Sequence, residues 1–412
     1  MHALGILRQA SAAQRRTLLA AALGWMLDAF DVMLYALVVA HIMRELHMSK
    51  ATVGLLNTLM LLASGVGGVL FGFLADRIGR VRALTLSILT YSVCSFASGL
   101  SQSVLQLALF RCLLGLGMGG EWNTGATLVA ETWPTDLRAK ALAIVQSSWA
   151  IGYALAALTA GIVLHFFNWR YVFFVGILPA LVTLWIRRRV PESEMWKEAR
   201  APDAQRSSGG GGWQIFRPPL LRKALPVLLL NFFGLFGWWG LFTWIPPYLS
   251  IPVVQGGRGF GVLSTTTLLL SLNLLGMLPG YALFGWVADW LGRKGAFGLY
   301  LGAAGLLVPV YAHARAPWAI MLMGIVVAFF GTGFFSGSGL IASELFPTHL
   351  RARALGVTYS GARTLSAVAP FVIGAVGQRR GLDSAFYVCA LAFLCAATTV
   401  LALPETKGKE LD

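Results

Sequence analysis

The sequence predicts an all-α membrane protein, with twelve transmembrane helices in two pseudo-symmetric six-helix bundles. Three observations carry that prediction. The 412 residues are 57% hydrophobic and 12% charged, with a mean hydropathy of +0.72, a balance that polytopic membrane proteins have and soluble domains lack. Apolar runs long enough to cross a bilayer, about 18 residues or more, recur along the whole chain. Two unrelated motifs each occur twice, at one common spacing.

In chain order the runs fall near 18–43, 52–75, 83–100, 103–130, 139–166 and 171–189, then near 224–250, 261–288, 295–313, 317–343, 352–378 and 383–403. The first follows Arg8, Arg15 and Arg16 and so imitates a signal peptide. Its length, its two internal acids and the spans that come after it mark a retained helix instead. Between the halves, 190–222 includes Arg206-Ser-Ser-Gly-Gly-Gly-Gly, the composition of a solvated connector. The domain reading is a bundle over 1–189, a cytoplasmic linker over 190–222 and a second bundle over 223–412.

An even number of spans puts both termini on one side. Of the 32 Lys and Arg, 23 lie in the termini and the even-numbered connections, seven in the opposite loops and two, Arg111 and Arg363, inside spans. The positive-inside rule therefore predicts a multi-pass protein of the cytoplasmic (inner) membrane with both termini in the cytoplasm. The net charge of +15 is a topology signal, so the expected partner is the lipid bilayer and no nucleic acid. A monomer is expected to suffice for function.

The repeats join the two halves. Gly72-Phe-Leu-Ala-Asp76-Arg-Ile-Gly79-Arg80 matches Gly285-Trp-Val-Ala-Asp289-Trp-Leu-Gly292-Arg293. Likewise, the Glu131-Thr-Trp-Pro-Thr-Asp-Leu-Arg138 loop matches Glu344-Leu-Phe-Pro-Thr-His-Leu-Arg351. The separation is 213 throughout (289 against 76, 344 against 131, 351 against 138), which indicates a parallel duplication of a six-helix unit.

Ionisable residues inside spans carry the functional signal, because an acid at a helix centre costs roughly 2.5–3.5 kcal/mol on insertion scales. Gly24, Asp28, Asp31 and Tyr35 share one helical stripe, able to face a cavity or a partner helix. Arg111 cannot lose its charge and needs an anion. Counting 1.5 Å per residue from the side opposite the termini puts Arg111 about 12 Å deep, Asp31 about 18 Å and Asp28 about 22 Å. Arg111 can then reach at least Asp31, and the expectation is that Asp31, with Asp28 as second candidate, binds the coupling proton and releases Arg111. A static buried ion pair is the alternative. Glu121 falls about 15 Å beyond Arg111 and reads equally as a second titrating group or a structural acceptor.

At the offset of 213, Asp28, Asp31, Arg111 and Glu121 map onto Leu241, Trp244, Gly324 and Phe334. Proton handling is thus expected in the first half alone. Arg363 maps back onto Ala150; it is expected either to grip a substrate anion or to balance Asp28 or Glu121 across the cavity. Asn57, Asn123, Gln146, Trp149, Tyr153, Asn231, Trp238, Asn273, Ser336 and Tyr359 complete the candidate substrate site, each weighed against simple packing.

The paired Gly-x-x-x-Asp loops, the Arg111-x-x-x-Gly115-x-Gly117-x-Gly119 helix and the Glu-x-x-Pro-x-x-x-Arg loops resemble the major facilitator superfamily over essentially the whole chain. Within it, Asp28-x-x-Asp31, Gly119-Gly-Glu121-Trp and the Glu131 loop resemble the metabolite:proton symporters, nearest to the sialate and monocarboxylate carriers. The resemblance implies alternating access between the two bundles, with a first-helix acid set against the arginine of the fourth span. It also implies a cytoplasmic gate built from Asp76, Arg80, Glu131 and Arg138, and from Asp289, Arg293, Glu344 and Arg351. Asp76 is expected to pair with Arg138 and Asp289 with Arg351, while Arg80 and Arg293 also read as ordinary positive-inside residues.

Other classes are disfavoured. No Gly-x-x-x-x-Gly-Lys-Ser/Thr occurs, against an ATP-driven pump. The six His and four Cys (Cys94, Cys112, Cys389, Cys395) have neither nucleophile–base nor metal-ligand spacing, so no enzyme, metal or cofactor is expected, only the proton as coupling ion. The fifth span lacks the Gly-Pro-x-x-Gly-Gly pattern of antiporters. The expected function is proton-coupled import of a small organic anion, with proton-driven efflux and a non-transporting sensor as the alternatives.

Overall fold

The computed structural model describes residues 10–194, 218–346, 354 and 356–407, and among these no strand occurs. The first five spans are single helices: α1 (Ala12–Glu45), α2 (Lys50–Ile78), α3 (Arg80–Gly99), α4 (Val104–Thr132) and α5 (Thr135–Phe166). Start signals agree with the local sequence. Ser11 and Gln14 form a reciprocal capping box at the entry to α1. Ser103 Oγ accepts from the Gln106 amide at the entry to α4. The sixth span is broken into α6 (Trp169–Val175) and α7 (Pro179–Arg189); Pro179, in the first turn of α7, has no N–H to continue the ladder.

The second half repeats the plan with more irregularity. It contains α8 (Pro218–Ser250), α9 (Val262–Ser271), α10 (Leu278–His313), α11 (Pro317–Leu345), α12 (Ala362–Ser366), α13 (Ala369–Arg380) and α14 (Leu382–Thr399). α9 runs into α10 through a π segment, Leu272–Met277. There the Asn273 side chain donates to the Leu269 carbonyl, which competes with the backbone ladder and accommodates the widened turn. α10 itself spans two expected crossings, because it breaks at Gly292. Gly79 and Gly292 both have positive φ, 102° and 83°, which glycine adopts without strain. One residue therefore turns the chain between the second and third spans, and its repeat mate turns it between the eighth and ninth. Counted this way, the described residues trace twelve spans close to the predicted positions.

Hydrophobic surface is distributed as a bilayer requires. Leu105, Leu263, Trp286 and Trp290 are each more than three-quarters exposed, while Asp28, Asp31, Arg111 and Glu121 are wholly buried. The chain forms two compact units. One comprises Met1–Val32, Met60–Ala156 and Arg170–Gly211; the other comprises Met33–Leu59, Ala157–Trp169 and Gly212–Asp412. The ends of α1, α2 and α5 that lie opposite the termini thus belong to the unit containing the second-half helices. Most of the expected linker, and Arg351 with it, lies outside the described residues.

Candidate functional site

Close helix approach builds the site in the first half. A side chain at Gly115 would collide with the carbonyl of Met60, and one at Gly119 with the carbonyl of Ser64, so α4 packs backbone to backbone on α2. One turn before Gly115 this brings the Arg111 guanidinium to 2.8 Å from Met60 Sδ. On α1, Asp31 Oδ1 accepts a 2.9 Å hydrogen bond from Ser95 Oγ of α3. At the break between α6 and α7 a Cβ on Gly176 would lie 2.6 Å from the same Asp31 oxygen, so only glycine leaves room for the carboxyl. Asp28 and Arg111 both lie within electrostatic range of Asp31. Asp28 and Arg111 are thus neighbours of Asp31 in space.

Glu121 joins this group instead of forming a separate one. Its Oε1 occupies the space a side chain at Gly24 would take, one turn along α1 from Asp28. Tyr91 of α3 reaches the same place, its hydroxyl 3.5 Å from the Gly24 carbonyl, and lies within electrostatic range of Glu121, Asp28 and Asp31. The stripe foreseen on α1 thus lines a column of three buried acids, its own Asp28 and Asp31 and Glu121 of α4, with Tyr91 alongside. Trp25, next to Gly24, packs in tilted contacts on Trp122 and Trp149 at 4.5 and 4.8 Å between ring centroids.

Other sequence-predicted residues separate by surroundings. Gln146 and Tyr153 are buried on α5. Asn123 lies against Gly68 on α2, and Asn57 is buried on the same helix in the other unit. In the second half, Asn231 donates to the Thr358 carbonyl across 3.2 Å, within a second π segment, Gly356–Gly361. Tyr359 of that segment lies within electrostatic range of Arg363, so Asn231, Tyr359 and Arg363 converge on one irregular stretch. Ser336 donates to the Tyr281 carbonyl. Trp238 sits among Trp239, Phe242 and Phe335, and Asn273 is bonded within its own helix.

At the end nearest the termini the ion pairs repeat in register. Arg80 bridges Asp76 at 2.7 Å and Glu131 at 3.1 Å; Arg293 bridges Asp289 at 2.8 Å and Glu344 at 3.0 Å. Arg80 and Arg293 are thus interhelical clamps as well as topology signals. Arg138 donates to the Trp133 carbonyl. Two residues that sequence reasoning missed complete the arrangement. Glu192 accepts from the Arg80 and Val81 amides at the start of α3, and Glu405 accepts from the Arg293 and Lys294 amides beyond the break in α10. They too are 213 apart, within Pro191-Glu192-Ser193 and Pro404-Glu405-Thr406, a repeat that was open to inspection.

A sequence profile described as Major Facilitator Superfamily matches residues 21–294 and 257–411. This chain belongs to that superfamily. It is a multi-pass membrane transporter and not an enzyme. It is 31% identical over 94% of its length to the sialic acid transporter NanX of Escherichia coli, covering 93% of that protein. It is 29% identical over 93% of its length to the cis,cis-muconate transport protein of Acinetobacter baylyi, covering 92% of it. Among solved structures, the D-xylose-proton symporter superposes with a TM-score of 0.76 at 19% identity, over 97% of this chain and 100% of that one, which establishes the shared fold.

In this transporter the helix ends opposite the termini are fastened around Lys50. Its Nζ donates to the carbonyls of Gln255, at 2.7 Å, and Gly377, and its amide donates to Gln378 Oε1. A side chain on Gly374 would meet the Lys50 carbonyl at 2.5 Å. The start of α2 is thereby tied to the segment after α8 and to α13.

Proposed function

We propose that this transporter imports a small organic acid anion together with protons by alternating access, oriented in the inner membrane with both termini in the cytoplasm. The single observation that carries the reading is the environment of Asp31. Its carboxyl is wholly buried, shares its surroundings with Asp28 and Arg111, and faces a hydroxyl, Ser95, that serves either protonation state. A hydroxyl donates to a carboxylate and accepts from a carboxylic acid, so Oδ1 is matched in either form, while the buried Oδ2 has no hydrogen-bond partner among the described residues, a condition that favours the neutral acid.

Protonation of Asp31 removes the negative charge that holds Arg111 and frees the fourth span to shift relative to the first. Glu121 continues the acid column toward the termini and is the natural second stop for the proton. Arg363, beside Tyr359 and Asn231, supplies the fork that a carboxylate cargo requires. The sialic acid and muconate relatives support a carboxylate as cargo. Lys50 on one face and the Arg80 and Arg293 networks on the other are contacts that must break in turn.

The test is a thermal-shift screen of carboxylic acids on the purified protein, because a ligand of the folded state raises its apparent stability. Hits then go into proteoliposomes carrying an internal pH dye. Acid-stimulated uptake that carries protons inward with the anion is the expected result; uptake without proton movement sinks the coupling, and proton movement in the opposite sense indicates efflux.

A further inference from the structure

We propose that a second anion site, separate from the acid column, lies at the helix ends opposite the termini and takes a small carboxylate carrying one apolar ring. A cavity of about 170 Å³ lies there, between α1, α5, the end of α8 and α9. Its volume is close to the roughly 150 Å³ that holds a benzene molecule in an apolar protein cavity. Along α1 its nearest lining residue, Leu37, lies six residues from Asp31, about 9 Å of rise, and His41 lies ten residues away, about 15 Å.

The lining is polarised. Leu37, Leu164, Phe260 and Leu269 supply apolar surface, Arg44 supplies a positive charge and His41 an imidazole. These two are three residues apart and so share a face of α1. No carboxylate is among the lining residues. The His41 Nδ1 is buried with no hydrogen-bond partner among the described residues, a condition that a bound polar group relieves. Thr265 and Thr266 add hydroxyls at the start of α9. An arginine beside an imidazole, over an apolar floor the size of one ring, is the complement of an aromatic or cyclic monocarboxylate.

The wall is preformed. The chain between α8 and α9 is pinned by the amides of Arg258 and Phe260, which donate to the carbonyls of Tyr248 and Leu249, each at 2.8 Å. The Arg258 guanidinium adds a 2.6 Å bond to the Ala312 carbonyl and lies over the Tyr248 ring at 4.8 Å. A site whose walls are fixed before binding loses less ordering entropy on binding. On the orientation proposed above, an anion held here waits on the face where cargo arrives.

The test is photolabelling of the full-length protein in phosphatidylcholine nanodiscs with 4-azidobenzoate, followed by peptide mapping. Label is expected in segments 37–44, 157–164 and 260–269. It should fall at least fivefold with excess benzoate and by a similar factor in a His41→Gln/Arg44→Gln double variant, with partial recovery in Arg44→Lys. If phosphatidylglycerol discs block the label and benzoate does not, the occupant is a lipid phosphate and the free carboxylate is overturned. Label absent from these segments, or unmoved by benzoate, by phosphatidylglycerol and by the double variant, overturns the site itself. The wild-type competition stands even if the variant fails to fold, and cargo uptake is not the readout, so failure here is distinguishable from failure of the proposed transport.

Discussion

Ser95 holds Asp31 through a 2.9 Å hydrogen bond in a fully buried position, and this contact joins the third span to the acid of the first. A serine to alanine change leaves the acid but removes the group that matches both of its protonation states. Ser95→Ala is expected to reduce pH-driven uptake about tenfold while Ser95→Thr retains most of it, since an unmatched buried polar group costs about 1–3 kcal/mol. Equal uptake by the alanine and threonine variants argues against a hydroxyl role.

Gly24 and Glu121 compete for one space. Gly24→Ala should therefore lower the apparent melting temperature, by overpacking of about 1–3 kcal/mol. The loss should be largely recovered in Gly24→Ala/Glu121→Ala, where the space is vacated. Additive losses in the double variant contradict the contact.

The two clamps near the termini differ in burial. Glu344 is 7% exposed and Glu131 is 15% exposed, so removing its arginine leaves the deeper acid charged in the drier place, with only the Thr406 hydroxyl still donating to it among the bonds described. Arg293→Ala is expected to destabilise more than Arg80→Ala, each by roughly 1–3 kcal/mol. The reverse order in paired thermal melts refutes the ranking.

Glu405 sets a pH dependence. Burial pushes its carboxyl up, but the backbone amides of Arg293, Lys407, Lys294 and Thr406 outweigh burial and hold it below its ordinary value of 4.5. A depressed folded value contributes stability that is present above the unfolded value and is lost as pH falls through the folded one. Wild type should thus exceed Glu405→Gln in melting temperature at pH 7, with the gap closing on acidification below about pH 4.5. A constant gap over that range counts against the amide contacts as its source.

The legible parts of this transporter are those with an insertion cost. Asp28, Asp31 and Arg111 announced themselves because charges in apolar spans need a reason, and the fold followed from span length and the 213-residue repeat. Ser95, Tyr91 and Gly176 were silent, since small or aromatic residues in apolar helices carry no such penalty. The Glu121 placement shows a different limit. Depth counting placed it beyond Arg111, but the same count carried one turn further along α1 puts Gly24 at about the same depth, roughly 27–28 Å. Which helix faces which is azimuthal information, and that came only with the packing of Gly24 against Glu121. The role of Arg80 is ambiguous in the sequence for a related reason: an arginine there satisfies the charge rule whether or not it clamps Glu131.

The central claim is that Asp31 carries the coupling proton, and proteoliposome transport by Asp31→Asn tests it most directly. The account predicts that this variant loses uphill, pH-driven accumulation of the cargo acid while keeping downhill counterflow exchange. Uphill accumulation at the wild-type level in Asp31→Asn contradicts it, and loss in Asp28→Asn alone moves the proton to the other acid.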